Sequence, residues 1–92
     1  MKITMVKKVM LDGNLCTKCE EVQKRLEDSG HIHRIDQFVN AVEGEPGSTG
    51  ALLADLYQVD KAPFFIVEEE GKEPAIYTIY FKLVKDVLQK AA

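Results

Sequence analysis

With 92 residues the chain is long enough to bury one hydrophobic core and too short to divide into two, which excludes a second catalytic domain. Apolar residues make up 46% and charged residues 29%, the balance of a globular domain and not of a collagenous or disordered chain. The formal net charge of −3 argues against a nucleic-acid surface, which needs a basic stripe that the Lys7-Lys8 doublet does not supply.

Ile3 to Leu11 is rich in Ile, Val, Met and Thr and predicts a first strand ending at the turn cluster Asp12-Gly13-Asn14. From there apolar positions fall at Leu15, Cys19, Val22 and Leu26, the spacing of one helix face, and Ser29-Gly30 supplies the stop. His31 to Val39 alternates less regularly and predicts a second strand. Glu43 to Gly50 is a polar, turn-forming loop whose Ser48 or Thr49 is suited to cap a helix over Ala51 to Val59. That helix is expected to place Leu52, Leu53, Leu56 and Tyr57 on its buried side. The loop glycines lack the Gly-Lys-Ser/Thr ending of a phosphate loop, because Ala51-Leu52 follows Gly50.

Asp60-Lys61-Ala62-Pro63 leads into Phe64-Phe65-Ile66-Val67, a continuous apolar run that predicts a buried strand. Glu68 to Glu73 reads as a hairpin turn and Pro74 to Ile79 as the returning edge strand, where a proline at the first position is tolerated. Tyr80 to Lys90 has a helical pattern with Phe81, Val84, Val87 and Leu88 as its buried stripe. Phe64, Phe65 and Phe81 are expected in the core. There is no internal repeat or linker, so residues 1–92 are read as one domain. A helical crossover between the first two strands demands parallel pairing and the hairpin demands antiparallel pairing. The expected fold is therefore α/β, in the order β-α-β-α-β-β-α, with a mixed four-stranded sheet and helices on both faces.

Both cysteines lie in Cys16-Thr17-Lys18-Cys19, between the first strand and its helix. No apolar run approaches a membrane span, and Lys7-Lys8 interrupts the N-terminal segment before signal-peptide length, so a cytoplasmic protein without a membrane partner is expected. In that compartment a cysteine pair is catalytic or metal-binding before it is a structural staple. At a helix start, free backbone N–H groups and the positive end of the dipole favour a thiolate at Cys16, the expected nucleophile. Cys19 returns to the same side of the helix three residues later and is expected to be the resolving thiol. Lys18 adds favourable charge, whereas Glu20 and Glu21 oppose it. A zinc site would recruit His31 and His33, but roughly 15 Å of helix would separate them from the cysteines, and two surface histidines on an edge strand are the simpler reading. For Lys18 and Lys61 the choice lies between solvated surface and attraction of an acidic partner.

Two marks, Cys16-Thr17-Lys18-Cys19 after the first strand and Ala62-Pro63 immediately before the third, make nearly the whole chain resemble the thioredoxin-fold superfamily. In its compactness it is similar to the glutaredoxin-like branch. The resemblance implies a cis Ala62–Pro63 bond against the dithiol, with the Ala62 backbone pairing with an extended substrate or with glutathione. The chain departs from glutaredoxins in carrying Thr17-Lys18 in place of Pro-Tyr, Lys61-Ala62 in place of Thr-Val, and Ile79-Tyr80-Phe81-Lys82 in place of the Gly-Gly turn and acidic residue that hold glutathione. It departs from thioredoxins in carrying Leu15 where they have Trp and in lacking Gly-Pro between the cysteines.

The implied function is that of a monomeric thiol–disulfide oxidoreductase with no tightly bound cofactor or metal. Its partners would be a disulfide-containing protein or small molecule and, as electron donor, a reductase or glutathione. The alternatives are a non-enzymatic thioredoxin-like binding module and a structural metal-binding domain.

Overall fold

The apolar run that begins at Ile3 forms β1 (Lys2–Val9), in which Ile3, Thr4, Met5 and Val6 are all buried. Burial of consecutive residues means that both faces of the strand are covered, as an interior position in the sheet requires. In the computed structural model, which describes residues 1–90, β1 pairs in parallel with β2 (Gln37–Val42) and antiparallel with β3 (Phe64–Glu68). β3 pairs antiparallel with the short β4 (Ala75–Tyr77), giving the order β2-β1-β3-β4. The three helices are α1 (Thr17–Asp28), α2 (Thr49–Leu56) and α3 (Tyr80–Leu83), the last continuing through a π-helical turn (Val84–Leu88). The molecule is thus an α/β fold with a mixed four-stranded sheet. Among the described residues no helix is long and apolar enough to cross a membrane.

Alternation along the strands sorts the core into two layers. On one face Ile3, Met5, Phe65 and Val67 pack with Val22 and Leu26 of α1 and with Leu83, Val87 and Leu88. On the other, Val6, Val39, Phe64 and Ile66 pack against Leu53, Ala54 and Tyr57 from and just beyond α2. Each large apolar side chain removed from water in these layers contributes about 1.5–3 kcal/mol.

Local chemistry accounts for several differences from the sequence expectations. β1 stops at Val9, and Leu15 forms a single bridge to Val9 outside the helix. After α1, Gly30 takes φ +78° while its N–H donates to Glu27 O and the His31 N–H donates to Leu26 O, closing the helix with a Schellman motif. The expected strand from His31 is instead a 3-10 turn (Ile32–Arg34). Ile32 and Ile35, three residues apart, pack inward from this turn, whereas a strand would send them to opposite faces. Asp36 then secures the start of the sheet: its N–H donates to Ile3 O, and its Oδ2 accepts from the Ile3 N–H at 2.7 Å.

Leu52 and Leu56 are exposed, contrary to the expected buried face of α2. Gly50 sets the helix roll by lying against the β2 backbone, so positions 50, 53, 54 and 57 face the sheet and positions 52 and 56 face away. Phe81 is 72% exposed and is not core. Fully buried Leu83 lies two residues on, about 200° around the helix, so the two cannot share a face.

A Cβ added to Gly50 would overlap Ala41 N and the Asn40 carbonyl carbon and would lie 2.7 Å from Asn40 O. Neither backbone can yield without disturbing β2. Gly50→Ala is therefore expected to destabilise the fold by about 2–4 kcal/mol, whereas Gly47→Ala, with open space around it, should stay within about 0.5 kcal/mol. Urea denaturation measures both; equal midpoints for the two variants would contradict the close approach.

Candidate functional site: a dithiol at the head of the first helix

The antiparallel pairing of β1 with β3 ends at Val6↔Phe64, so β1 runs past the end of β3. Its next peptide groups there take the cysteine segment instead. Lys8 O accepts the Cys16 N–H at 2.9 Å, and the Lys8 N–H donates to Cys19 Sγ at 3.3 Å. Cys16 is the N-cap of α1, with extended dihedrals, and its Sγ accepts the Cys19 N–H at 3.3 Å. A sulfur thus occupies the cap position usually served by a Ser or Asp oxygen. The two sulfurs lie 2.7 Å apart; Cys16 is half-buried, whereas Cys19 has no exposed surface.

Burial is the main reason that the Cys19 thiol is pushed up to about 12. Its hydrogen bond with Cys16 and the charge of a Cys16 thiolate add to the rise, while the Lys8 N–H and the Lys7 ammonium oppose it. Cys19 is therefore a thiol at neutral pH. The folded chain retains its proton between about 9 and about 12, where the unfolded chain loses it. Stability falls across that window as pH rises.

The Ala62–Pro63 peptide bond is cis and Pro63 is buried. Lys18, Val22, Lys61, Ala62, Pro63, Phe65, Thr78 and Tyr80 enclose a cleft of about 280 Å³. The fold therefore joins four residues singled out from the sequence, Lys18, Lys61, Ala62 and Pro63, in one concavity. α1 links it to the cysteines, carrying Cys19 at its inner side and Lys18 and Val22 at the cleft. Sequence reasoning missed Val22, Thr78 and Tyr80 as lining residues. Only Val22 had a local signal, since it lies four residues after Lys18 on one helix.

His31 and His33 do not join the site. They follow the C-terminus of the 12-residue α1, with about 14 Å of helix between its end and Cys19. His31 Nδ1 lies 3.2 Å from Ser29 Oγ, and both histidines occupy the 3-10 region and not the expected edge strand. Among the described residues no group of three or more His, Cys, Asp or Glu side chains converges to hold a metal. A larger cavity, about 820 Å³, opens at the opposite end of the sheet among Met1, Arg34, Asp36 and Glu69, without a cysteine.

The sequence matches no protein-family model, and no curated protein matches it significantly.

Iodoacetamide near neutral pH should label Cys16 in the reduced native protein and reach Cys19 only on unfolding, as read by peptide mass spectrometry. Equal native labelling would contradict the shelter of Cys19. In denaturant titrations, the wild type should lose more stability than Cys19→Ser as pH rises from about 9 towards about 12.

Proposed function

We propose that the chain is a thiol–disulfide oxidoreductase of thioredoxin-like, glutaredoxin-like architecture, cycling Cys16 and Cys19 between dithiol and disulfide. The observation that carries this reading is the asymmetric pair itself: two sulfurs 2.7 Å apart at a helix head, one reachable and one sheltered. The cis Ala62–Pro63 step, which shares a cleft with Lys18 and Val22 of α1, and the β2-β1-β3-β4 mixed sheet support the architectural part of the reading.

In the proposed reaction the Cys16 thiolate attacks one sulfur of a substrate disulfide. A Cys16–substrate disulfide forms and the other substrate sulfur leaves as a thiolate. Cys19 then gives up its proton to water or to the substrate thiolate already released and attacks Cys16 Sγ, closing the Cys16–Cys19 disulfide and releasing the second substrate thiolate. The protein dithiol has lost two electrons and the substrate has gained them. A thiol reductant, either a reductase or glutathione, returns the pair to the dithiol.

The cleft is the natural seat for the substrate segment that flanks the scissile disulfide, because Ala62 offers backbone groups beside cis-Pro63 and Tyr80 and Val22 offer apolar contact. Lys18 and Lys61 at that cleft would favour an acidic partner, a protein or a small molecule. A cytoplasmic setting suits this chemistry, since it keeps the resting pair reduced.

Cys16→Ser should reduce turnover of a model disulfide by at least about a hundredfold, whereas Cys19→Ser should retain the first attack and accumulate a mixed disulfide detectable by intact mass. Wild-type turnover in Cys16→Ser would sink the proposal.

A further inference from the structure

The second step of the proposed cycle poses a problem that the pair alone does not solve. Cys19 must become a thiolate while buried, in a setting that favours its proton. Charge stabilisation has to come from outside the Cys16-Thr17-Lys18-Cys19 segment, because Lys18 lines the cleft and the side chains of Glu20 and Glu21 are exposed and of the wrong sign.

β1 brings one cation to the inner side of α1. Alternation places Lys7 on the same sheet face as Ile3 and Met5, the face covered by Val22 and Leu26. Lys7 is half-buried. Its Nζ donates to Gln23 Oε1 at 3.3 Å and lies 5.0 Å from the centre of the Phe38 ring. Gln23 is four residues after Cys19, one helical turn along the same side of α1. The residue after Lys7 donates its backbone N–H to the Cys19 sulfur, so the Lys7 main chain is adjacent to that contact. The partners of the ammonium are thus a neutral amide and an aromatic face. Among the described residues no carboxylate pairs with it. A charge held by neutral groups in a partly desolvated site is not cancelled, and its field acts on any anion formed nearby.

We propose that Lys7 is a positioning residue for the resolving step, its ammonium held by Gln23 and Phe38 one turn along α1 from Cys19 so that its charge stabilises the Cys19 thiolate as that thiolate forms. This inference rests on the thiol–disulfide reading and specifies how the buried thiol is activated. The groups around the Cys19 sulfur then divide by role. Cys16 Sγ is the atom attacked, the Lys8 N–H is a fixed donor, and Lys7 supplies the charge. Lys7 touches neither substrate nor the reacting sulfurs, and its effect is confined to the second of the two exchanges.

Dithiodipyridine, a neutral aromatic disulfide, separates those exchanges. Attack by Cys16 releases one coloured thiopyridone, and closure by Cys19 releases the second. In stopped-flow measurements, Lys7→Met and Lys7→Gln should slow the second release relative to the first by roughly tenfold, the factor carried by one pK unit. Both should shift the rise of the second rate to higher pH. Lys7→Arg, which keeps the charge, should restore the ratio to within about threefold of wild type. Circular dichroism checks folding; should Lys7→Met not fold, the polar neutral variant Lys7→Gln decides. An unchanged ratio in the neutral variants, equal slowing of both releases, or failure of Lys7→Arg to rescue would overturn the proposal. Wild-type protein that releases no second thiopyridone would overturn the oxidoreductase reading itself, and the role of Lys7 with it.

Discussion

The peptide unit of Lys8 is the hinge of the whole arrangement. Because β1 outlasts its neighbour β3, the N–H and C=O of Lys8 are left without a strand partner on that side, and both are obligatory hydrogen-bonding groups. The chain satisfies both with the cysteine segment: the carbonyl takes the Cys16 amide and the amide takes the Cys19 sulfur. One structural necessity therefore places both sulfurs. The same pairing fixes where α1 begins, and hence which residues of α1 face the sheet and which reach the cleft.

Burial and reactivity are balanced across that short segment. Cys19 belongs to the core, since it is as completely enclosed as Leu26 or Met5. Enclosure holds it as a thiol and keeps competing reagents away. Cys16, capping the helix with its sulfur, sits at the boundary of protein and solvent, where a partner can arrive. The cis Ala62–Pro63 step and the residues of α1 and α3 shape the ground beside it, and the Lys7 ammonium lies beneath.

Much of this was legible where the pattern of residue types was unambiguous. The runs Ile3–Val6 and Phe64–Val67 announce interior strands, and Cys19, Val22 and Leu26 trace one face of α1, all three buried. The dithiol spacing was equally plain. What could not be read was decided by contacts between distant segments. α2 has apolar residues on every side, so periodicity could not choose among them, and the choice was made by a side-chain-free contact at Gly50. Tyr80 and Phe81 are adjacent aromatics of similar size, and the position of Leu83 in the core selects the first. Lys8 carries its role in its main chain, where residue identity leaves no trace. Lys7 entered the sequence reading only as half of a basic doublet, because its contacts with Gln23 and Phe38 join three separate segments.

The seat of α2 on the β2 backbone also divides the molecule unequally. Among the described residues, four buried side chains form the layer beneath α2, against ten in the layer that supports α1 and α3. The dithiol and its cleft lean on the thicker layer, while Leu52 and Leu56 lie exposed on the outer side of α2. Such a partition confines mechanical disturbance. A loosened α2 would strain the thin layer first, while the thick layer still holds the helix that carries the sulfurs.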